Sequence, residues 1–219
     1  MTYILAIDTT AGTSVALLAA DRVLAHVHHD SGVKHAELIG EAIAQVFAET
    51  GVRANILDAV AVGRGPALFT GLRVGIAAGI MFAEAVGSKL VGAVSHDAIA
   101  LSLYETDGSL GPAPLLVTTD ARRGEVYWAL FGGLDAAGLP ITLAGPSVGK
   151  HAEIVVALNA EHGEVTERTG GATAVWVARL AQRQLAAGIA TDEVSALYLR
   201  APDAVPPKPN QQFGKRVSG

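Results

Sequence analysis

Residues 3–30 read YILAIDTTAGTSVALLAADRVLAHVHHD, three apolar runs separated by two short turns. The first run, Tyr3–Asp8, ends on an acid. Ser14–Ala20 is the second run, and Val23–His29 alternates apolar side chains with polar ones or histidine. Strands joined by such short links pair antiparallel. We therefore predict a three-stranded antiparallel meander over residues 3–30.

The residues after the meander predict alternating helices and strands. In residues 36–50, apolar side chains recur every four positions, at Leu38, Ala42 and Val46, which is the pattern of an amphipathic helix. The order predicted for the first half is therefore β-β-β-α-β-α-β-α. Its later elements are a strand at Ala59–Val62, a helix at about Gly71–Val86, a strand at Leu90–Val94 and a short helix at Asp97–Leu103.

The second half begins in the same way. Leu115–Asp120 is again an apolar run that ends on an acid, and Glu125–Phe131 and Pro140–Ala144 follow it after turns. We interpret this likeness as an internal duplication, in which the first strand of each half delivers an aspartate, Asp8 or Asp120, to a turn. The remaining predicted elements are helices at His151–Asn159 and Thr173–Ala187 and a short strand at Leu197–Leu199.

Two β-β-β-α units in tandem predict an α/β protein of two ribonuclease-H-like lobes. In the actin/Hsp70/sugar-kinase (ASKHA) architecture two such lobes face each other, and ligands lie in the cleft between them. We expect a first lobe at residues 1–103, a second, abbreviated lobe at 104–201 and a mobile, proline-rich tail at 202–219. The two aspartate-bearing turns then face the cleft from opposite sides.

Composition narrows the classes of function. The 219-residue chain has no cysteine, which excludes disulfides, thiolate nucleophiles and cysteine-ligated zinc. A formal net charge of −5 and an aromatic content of 5% disfavour an RNA-binding module that acts alone, because such a protein needs a basic face. No leader peptide and no apolar run long enough to span a membrane is visible, so we expect a cytoplasmic protein without membrane contact.

The first turn, Asp8-Thr9-Thr10, offers a carboxylate, two hydroxyls and backbone N–H groups. Such a turn can hold a metal-bound water or a phosphate. The alternative is an Asx turn that only closes the hairpin. Together with Asp120 of the second turn, these residues are the candidate nucleotide-binding groups of the cleft.

Residues 63–73 read GRGPALFTGLR, a glycine- and proline-containing loop that leads into a helix. Thr70 is predicted to cap that helix, and a helix start preceded by glycines, with Arg64 and Arg73 nearby, can bind an anion. The alternative is a tight connection in which both arginines are structural. The loop lacks the lysine of a Walker A motif.

The segment GRGPALFTGLRVG resembles the GRGPGSFTGLR signature of the TsaB (YeaZ) family. Other segments resemble that family in the same order: ILAIDTT…SVALL, KHAEL around His35, DARRGEVYWALF, and LYLRAPDA near the end of the sequence. The resemblance covers most of residues 3–131 and residues 196–205. It departs at Ala67 and Leu68, which replace a small Gly-Ser pair, and residues 145–172 match poorly.

The resemblance implies a scaffold or activator rather than an enzyme. The catalytic TsaD-like subunit carries a His-x-x-x-His metal motif, whereas this sequence has His35 followed by Ile39, so the chain is expected to hold no metal. It would pair with the TsaD-like subunit, together with a TsaE-like ATPase. That complex transfers a threonylcarbamoyl group to N6 of the adenosine beside the anticodon of tRNA. We expect the chain to meet tRNA only through the complex and to bind no cofactor alone, with ATP or ADP at the interface of the complex.

The resemblance also implies that the helices at 36–50 and 71–86 form the partner surface, or pair with a second copy when the chain is isolated. Small side chains at three- and four-residue spacing allow a second helix to approach closely. The alternative is ordinary packing against the chain's own sheet. The predicted partner-binding residues are Leu38, Glu41, Gln45, Arg64, Gly71, Arg73, Gly75, Ala78, Gly79 and Phe82.

Two other classes of enzyme remain to be weighed. A small-molecule kinase of the same architecture, with a nucleotide in the cleft, is the alternative function, but the turn after Asp120 has arginines where a phosphate loop has glycine. A metallopeptidase would need paired metal ligands. His26 and His28 share one face of a predicted strand, so they form either a weak metal site or simply a half-exposed strand.

Overall fold

The computed structural model describes residues 2–30 and 35–200, without the side chains of Phe69 and Thr70. The predicted tail at 202–219 lies outside the described residues. None of the helices in the described part of the chain combines the length and the apolar character needed to cross a bilayer. The helices are α1 His35–Thr50, α2 Phe69–Val86, α3 Ser95–Thr106, α4 His151–His162 and α5 Ala174–Ala186, and the strands are β1 Tyr3–Asp8, β2 Thr13–Ala19, β3 Arg22–His29, β4 Ala59–Gly63, β5 Lys89–Ala93, β6 Leu115–Asp120, β7 Glu125–Leu134, β8 Pro140–Lys150 and β9 Thr166–Thr169.

The first five strands form one sheet in the order β3-β2-β1-β4-β5. Strands β1, β2 and β3 pair antiparallel, whereas β4 pairs parallel to β1 and β5 pairs parallel to β4. The predicted meander is therefore confirmed, and Asp8 stands opposite Ser14 at its turn. Parallel pairing of β1 with β4 requires a crossover, which α1 supplies.

Helices cover both faces of this sheet. On one face α1 and α2 bury a core that includes Leu5, Ile7 and Val60, and on the other face α5 packs against Ile4 and Leu18. Helix α1 ends where the sequence predicts, because Gly51 follows it with a φ of 65° and donates its N–H to the carbonyl of Phe47.

The second sheet repeats the topology of the first. Its order is β8-β7-β6-β9, with β6, β7 and β8 antiparallel and β9 parallel to β6, which matches β3-β2-β1-β4. The second sheet lacks a counterpart of β5 among the described residues. This repeat supports the internal duplication, and the two sheets form the two ribonuclease-H-like lobes of the ASKHA architecture.

Two helices pack across the predicted boundary at residue 103. Helix α3, from the first half, contributes Ile99 and Ala100 to the core of the second sheet, and α5, from the second half, covers the first sheet. Each sheet thus buries a helix from the other half, which joins the lobes through shared cores. The limits of the lobes as domains stay a prediction.

Three predictions about the elements are wrong, and one strand was missed. Strand β8 continues past Ala144 to Lys150, because a bulge at Gly145-Pro146 keeps this edge strand paired with β7. Strand β9 was not predicted, and Leu197–Leu199 forms no strand. Thr70 does not cap α2, since that helix begins at Phe69 with Leu68 as its N-cap residue.

Candidate functional site

A cleft of about 810 Å³ lies between the two sheets. It is formed by the β1–β2 turn and the starts of α1, α2 and α3 on one side, and by the β6–β7 turn and the β9–α5 loop on the other. Both aspartate-bearing turns reach this cleft, as the sequence predicts. The residues that line it are Thr9, Thr10, Ala11, Gly12, Asp30, His35, Ala36, Pro66, Ala67, Leu68, Gly71, Val74, Ser95, His96, Ile99, Thr119, Asp120, Arg122, Thr169, Gly170 and Gly171.

Asp8 does not line the cleft. Asp8 is 1% exposed, and its carboxylate lies against Gly63 at the end of β4 and Ser95 at the start of α3. Oδ1 accepts hydrogen bonds from the backbone N–H and the hydroxyl of Thr10, and Oδ2 accepts one from the hydroxyl of Ser95 at 3.0 Å. Burial raises the pKa of the Asp8 carboxyl, while these hydrogen bonds act in the opposite direction. Asp8 therefore joins three elements of the first lobe and offers no oxygen to a ligand in the cleft.

Thr9 and Thr10 line the cleft, but their hydroxyls are already used within the chain. The Thr9 hydroxyl donates to the carbonyl of Gly71 at 2.9 Å, and the Thr10 hydroxyl donates to Asp8. Since Thr9 is also 3% exposed, the first turn behaves as an Asx turn whose side chains stabilise the lobe. Neither hydroxyl therefore has a proton left to donate to a phosphate.

The second-lobe side of the cleft carries Asp120 and Arg122. Asp120 is exposed, and its Oδ1 accepts a hydrogen bond from the backbone N–H of Arg122 at 2.8 Å. Arg122 and Arg123 have positive φ values, 64° and 58°, which are unusual for residues other than glycine. Among the described residues, the carboxylates of Asp30 and Asp120 and the guanidinium of Arg122 line the cleft.

The start of α3 places two ionisable side chains next to each other. His96 is fully buried and bridges the lobes, because its Nε2 lies 3.0 Å from the hydroxyl of Thr119. Burial lowers the pKa of His96 to about 4, so the ring is neutral near pH 7. Asp97 is affected in the opposite sense: burial raises its pKa to about 7, although the positive charge of Arg64 nearby opposes that rise. The sequence analysis did not single out Ser95 or His96, because an isolated Ser-His pair carries no spacing signal.

His35 begins α1 and faces the cleft, where its Nδ1 lies 2.9 Å from the hydroxyl of Thr13. Ile39, one turn later, is buried in the core against the first sheet. Across residues 2–30 and 35–200, no three His, Asp or Glu side chains come together as a metal site would need. His26 and His28 on β3 instead contact Ser14 and Asp30, at 3.0 and 2.8 Å.

Gly75 and Gly79 of α2 face the chain's own sheet rather than a partner. A β-carbon at position 75 would lie 2.3 Å from Oγ1 of Thr9, and one at position 79 would lie 2.1 Å from Cγ1 of Val62. At position 71 a β-carbon would lie 2.8 Å from Nε2 of His35, so Gly71 packs on the His35 ring. The prediction that these three glycines contact a partner is therefore corrected: the close approach is to the first lobe itself.

The outward face of α2 is a different set of side chains, which we call the outer stripe. It consists of Arg73, Ala77, Ile80, Met81 and Glu84, all of which are exposed. Successive members are adjacent or three to four positions apart along the helix, so they share one face. Ile80 is 40% exposed and Met81 71%. Of the predicted partner residues on this helix, only Arg73 belongs to the outer stripe.

The remaining predicted partner-binding residues on α1 and α2 differ in how exposed they are. Glu41 and Gln45 of α1 are exposed, and Leu38 is half-buried. Ala78 and Phe82 of α2 are half-buried against the core. The Phe82 ring stacks on Phe47 of α1 with centroids 5.6 Å apart, so it holds the two helices together.

Arg64 is half-buried and lies against residues 187–200, which follow α5. Its Nη1 donates to the carbonyl of Glu193 at 2.8 Å, and its own carbonyl accepts from the N–H of Leu197 at the same distance. Arg64 is therefore a structural arginine, which was the alternative left open by the sequence. Its predicted contact with a partner stays a prediction.

Comparison with known proteins gives a consistent set of relatives. A family model described as TsaD, tRNA N6-adenosine threonylcarbamoyltransferase, matches residues 26–204. An uncharacterized protein of Mycobacterium leprae is 34% identical over an alignment 222 residues long, which covers 94% of this chain and 57% of that protein. The tRNA threonylcarbamoyladenosine biosynthesis protein TsaB of Escherichia coli is 36% identical over 129 residues, which cover 58% of this chain and 53% of that protein. The chain thus spans little more than half the length of these two relatives.

A solved structure from Pseudomonas aeruginosa has the same fold. It is described as an uncharacterized protein with similarity to peptidase YEAZ, and it superposes with a TM-score of 0.76 at 23% identity. The alignment covers 91% of this chain and all of that one. A second structure, YeaZ from the same organism, gives a TM-score of 0.73.

Proposed function

Since the chain belongs to the TsaB (YeaZ) family, we propose that it takes part in tRNA threonylcarbamoyladenosine biosynthesis as a non-catalytic subunit. It docks through its first lobe on a TsaD-like catalytic subunit, and it meets tRNA only through that complex. The TsaD-like subunit, with a TsaE-like ATPase, supplies the nucleotide chemistry, and any ATP or ADP lies at the interface of the complex.

The outer stripe of α2 is the observation that carries this proposal. A large apolar side chain that is 71% exposed, as Met81 is, gains free energy when a partner covers it. Ile80 beside it and the exposed Ala77 one turn earlier leave a strip without bulky polar groups at the centre of the helix. A partner helix can lie along this strip.

The geometry of the cleft supports a role without catalysis. The buried Asp8 already accepts three hydrogen bonds from within the chain, and His35 has Ile39, not a second histidine, one turn later. Among the described residues that line the cleft there is no lysine, whereas Asp30 and Asp120 are present. An active kinase of this architecture would need a carboxylate and phosphate-binding groups directed into the cleft.

The outer stripe also supports pairing of two copies when the catalytic subunit is absent. Arg73 and Glu84 lie at its two ends, with Ile80 and Met81 between them. In an antiparallel, twofold pairing of two α2 helices, Arg73 of one copy would approach Glu84 of the other. Such exposed ion pairs contribute little alone, so the homodimer would depend on the apolar centre.

Reconstitution tests the proposed function. The purified chain, the TsaD-like subunit and the TsaE-like ATPase are combined with tRNA and the threonylcarbamoyl adenylate, and modified adenosine is measured with each protein left out in turn. We expect no modification from this chain alone and a large loss when it is omitted. Modification by this chain alone, or an undiminished rate without it, would contradict the proposal.

Nucleotide titration tests the kinase alternative. We expect calorimetry with ADP or ATP and Mg²⁺ to show weak or no binding to the isolated chain, because the described residues of the cleft offer one guanidinium against two carboxylates. Tight, magnesium-dependent binding with turnover of a small-molecule acceptor would favour the kinase.

A further inference from the structure

After α5, residues 187–200 run across the first lobe. We call these residues the C-terminal segment. The segment covers the open edge of β5, where the N–H of Gly92 donates to the carbonyl of Thr191 at 2.9 Å. The carbonyl of Glu193 then accepts the hydrogen bond from the Arg64 guanidinium, and the half-buried Val194 packs against the core of the first sheet. These contacts hold the segment on the first lobe.

The C-terminal segment next reaches the start of α2. There the guanidinium of Arg73 lies 5.3 Å from the centre of the Tyr198 ring, and its Nε donates a hydrogen bond to the Tyr198 hydroxyl. Arg73 is the first residue of the outer stripe, so Tyr198 stands at the end of that stripe. Tyr198 is itself 38% exposed.

The segment ends on the second lobe. Arg200 donates from Nη1 to the carbonyl of Ala121 at 3.2 Å and forms an ion pair with Glu125. Ala121 follows Asp120 in the turn that lines the cleft. Tyr198 is thus anchored on both sides, by Leu197 bound to Arg64 and by Arg200 bound to the second lobe, and its position is preorganised.

We infer that Arg73 and Tyr198 together form an anchor of the partner-docking surface, so that the surface extends from the helix pair onto the C-terminal segment. This inference rests on the proposed function. Arginine and tyrosine are the side chains most often found at energetic centres of interfaces, and a preorganised pair loses little entropy when it is covered.

The charge of Arg73 indicates what the partner presents. Arg73 is the only basic side chain of the outer stripe, and Tyr198 occupies one edge of its guanidinium at Nε. The edge of the guanidinium formed by the two Nη groups is not used by that hydrogen bond, and such an edge can bind a carboxylate. The occupant is therefore a helix of the TsaD-like subunit that offers a carboxylate to Arg73, an apolar side chain to the ring of Tyr198, and further apolar side chains to Ile80 and Met81.

The test compares Arg73→Ala, Arg73→Lys and Tyr198→Ala with Arg22→Ala. Arg22 is an exposed arginine at the start of β3, at the opposite end of the sheet from the start of α2, so its loss changes the net charge equally. Dissociation constants for the TsaD-like subunit are measured by calorimetry at low and high salt. Thermal melting confirms that each variant is folded.

We expect Arg73→Ala to weaken binding roughly tenfold or more and Tyr198→Ala to weaken it roughly fivefold, with Arg22→Ala unchanged. Arg73→Lys should recover only part of the loss, because lysine keeps the charge but cannot contact the tyrosine and a carboxylate in the same plane. The salt dependence of binding should be smaller for Arg73→Ala than for the original chain.

Three outcomes overturn the inference. If the original chain binds the TsaD-like subunit but both variants at this anchor bind equally well, the docking surface ends at the helix pair, and the proposed function still stands. If the variants weaken only self-association of the chain, the anchor belongs to a contact between two copies. If the original chain does not bind that subunit at all, the proposed function fails together with the inference.

Discussion

The carboxylate of Asp8 lies against the α-carbon of Gly63, so close that a β-carbon at position 63 would stand 1.8 Å from Oδ2. Asp8 ends β1 and Gly63 ends β4, and these two strands pair in parallel. The missing side chain at position 63 is what allows a buried carboxylate to cross the end of the sheet and reach Ser95 at the start of α3. A residue of the predicted nucleotide turn is thereby turned into a structural link.

Gly63→Ala tests this link. We expect a loss of roughly 2–4 kcal/mol in the free energy of unfolding, because the new methyl group must displace the carboxylate from its hydrogen bonds. In the background of Asp8→Ala the same change should cost at least about 1 kcal/mol less, since the clash is removed. Denaturant unfolding of the four variants of this cycle measures the coupling. Equal costs of Gly63→Ala in both backgrounds would show that Asp8 does not occupy this position.

Gly79→Ala tests the orientation of α2. The added methyl group would meet Val62 in the core, so we expect a loss of about 1–3 kcal/mol. Gly40→Ala in α1 is the matched control, because a β-carbon there meets nothing within 4 Å and helix propensity favours alanine by up to about 1 kcal/mol. If Gly79→Ala were as well tolerated as Gly40→Ala, the glycine would lie on the outer face after all.

Asp97 makes stability depend on pH. Its pKa is about 7 in the folded chain against 3.8 when unperturbed, so the folded state holds a proton that the unfolded state releases between those values. Stability from this group is therefore greatest below about pH 4 and falls as the pH rises toward 7. We expect Asp97→Asn to raise the free energy of unfolding on the order of 1–2 kcal/mol at pH 8, with little change at pH 4. Denaturant unfolding at both pH values measures this, with Asp192→Asn on the exposed C-terminal segment as the control, and an equal effect of Asp97→Asn at both pH values would contradict it.

His96 makes stability depend on pH in the direction opposite to Asp97. Its pKa is lowered from 6.5 to about 4, so the unfolded state binds a proton between those values that the folded state excludes. Its contribution is complete above pH 6.5 and is lost as the pH falls toward 4. In His96→Gln, which keeps a polar group near Thr119, the decline in stability from pH 6.5 to 4 should be shallower. Melting temperatures across this range measure the slope, and identical slopes for both chains would show that His96 is accessible to protons when folded.

Much of the fold could be predicted from periodicity, because strands β1 and β6 are apolar runs bounded by turns and α1 has a clear four-residue repeat. Strand β9 could not, since its sequence Thr166–Thr169 contains no apolar residue and owes its conformation to pairing with β6. The apolar Leu197 suggested a strand, but it makes a backbone hydrogen bond to Arg64 without a continuing ladder. Pairing between distant segments decides such cases, and local sequence does not record it.

The site was harder to predict than the fold, for a related reason. The glycines of α2 correctly indicated a close approach, yet spacing alone does not say whether Gly75 and Gly79 meet a partner or the chain's own sheet. The same limit applies to Asp8, because the end of a strand is predictable whereas the direction of its side chain depends on Gly63, more than fifty residues away. Tyr198 belongs to the LYLRAPDA segment that resembles the family, but nothing in the sequence indicated its contact with Arg73.

Binding of the TsaD-like subunit to Met81→Glu tests the central claim most directly. Met81 is 71% exposed on α2, and Val156→Glu is a matched control, because Val156 is 70% exposed on α4 of the other lobe. We predict that calorimetry will show a loss of at least about a hundredfold in affinity for Met81→Glu, since the new carboxylate would be buried unpaired, and no change for Val156→Glu. Unaltered affinity of a folded Met81→Glu variant would contradict the claim that the outer stripe of α2 is the docking surface.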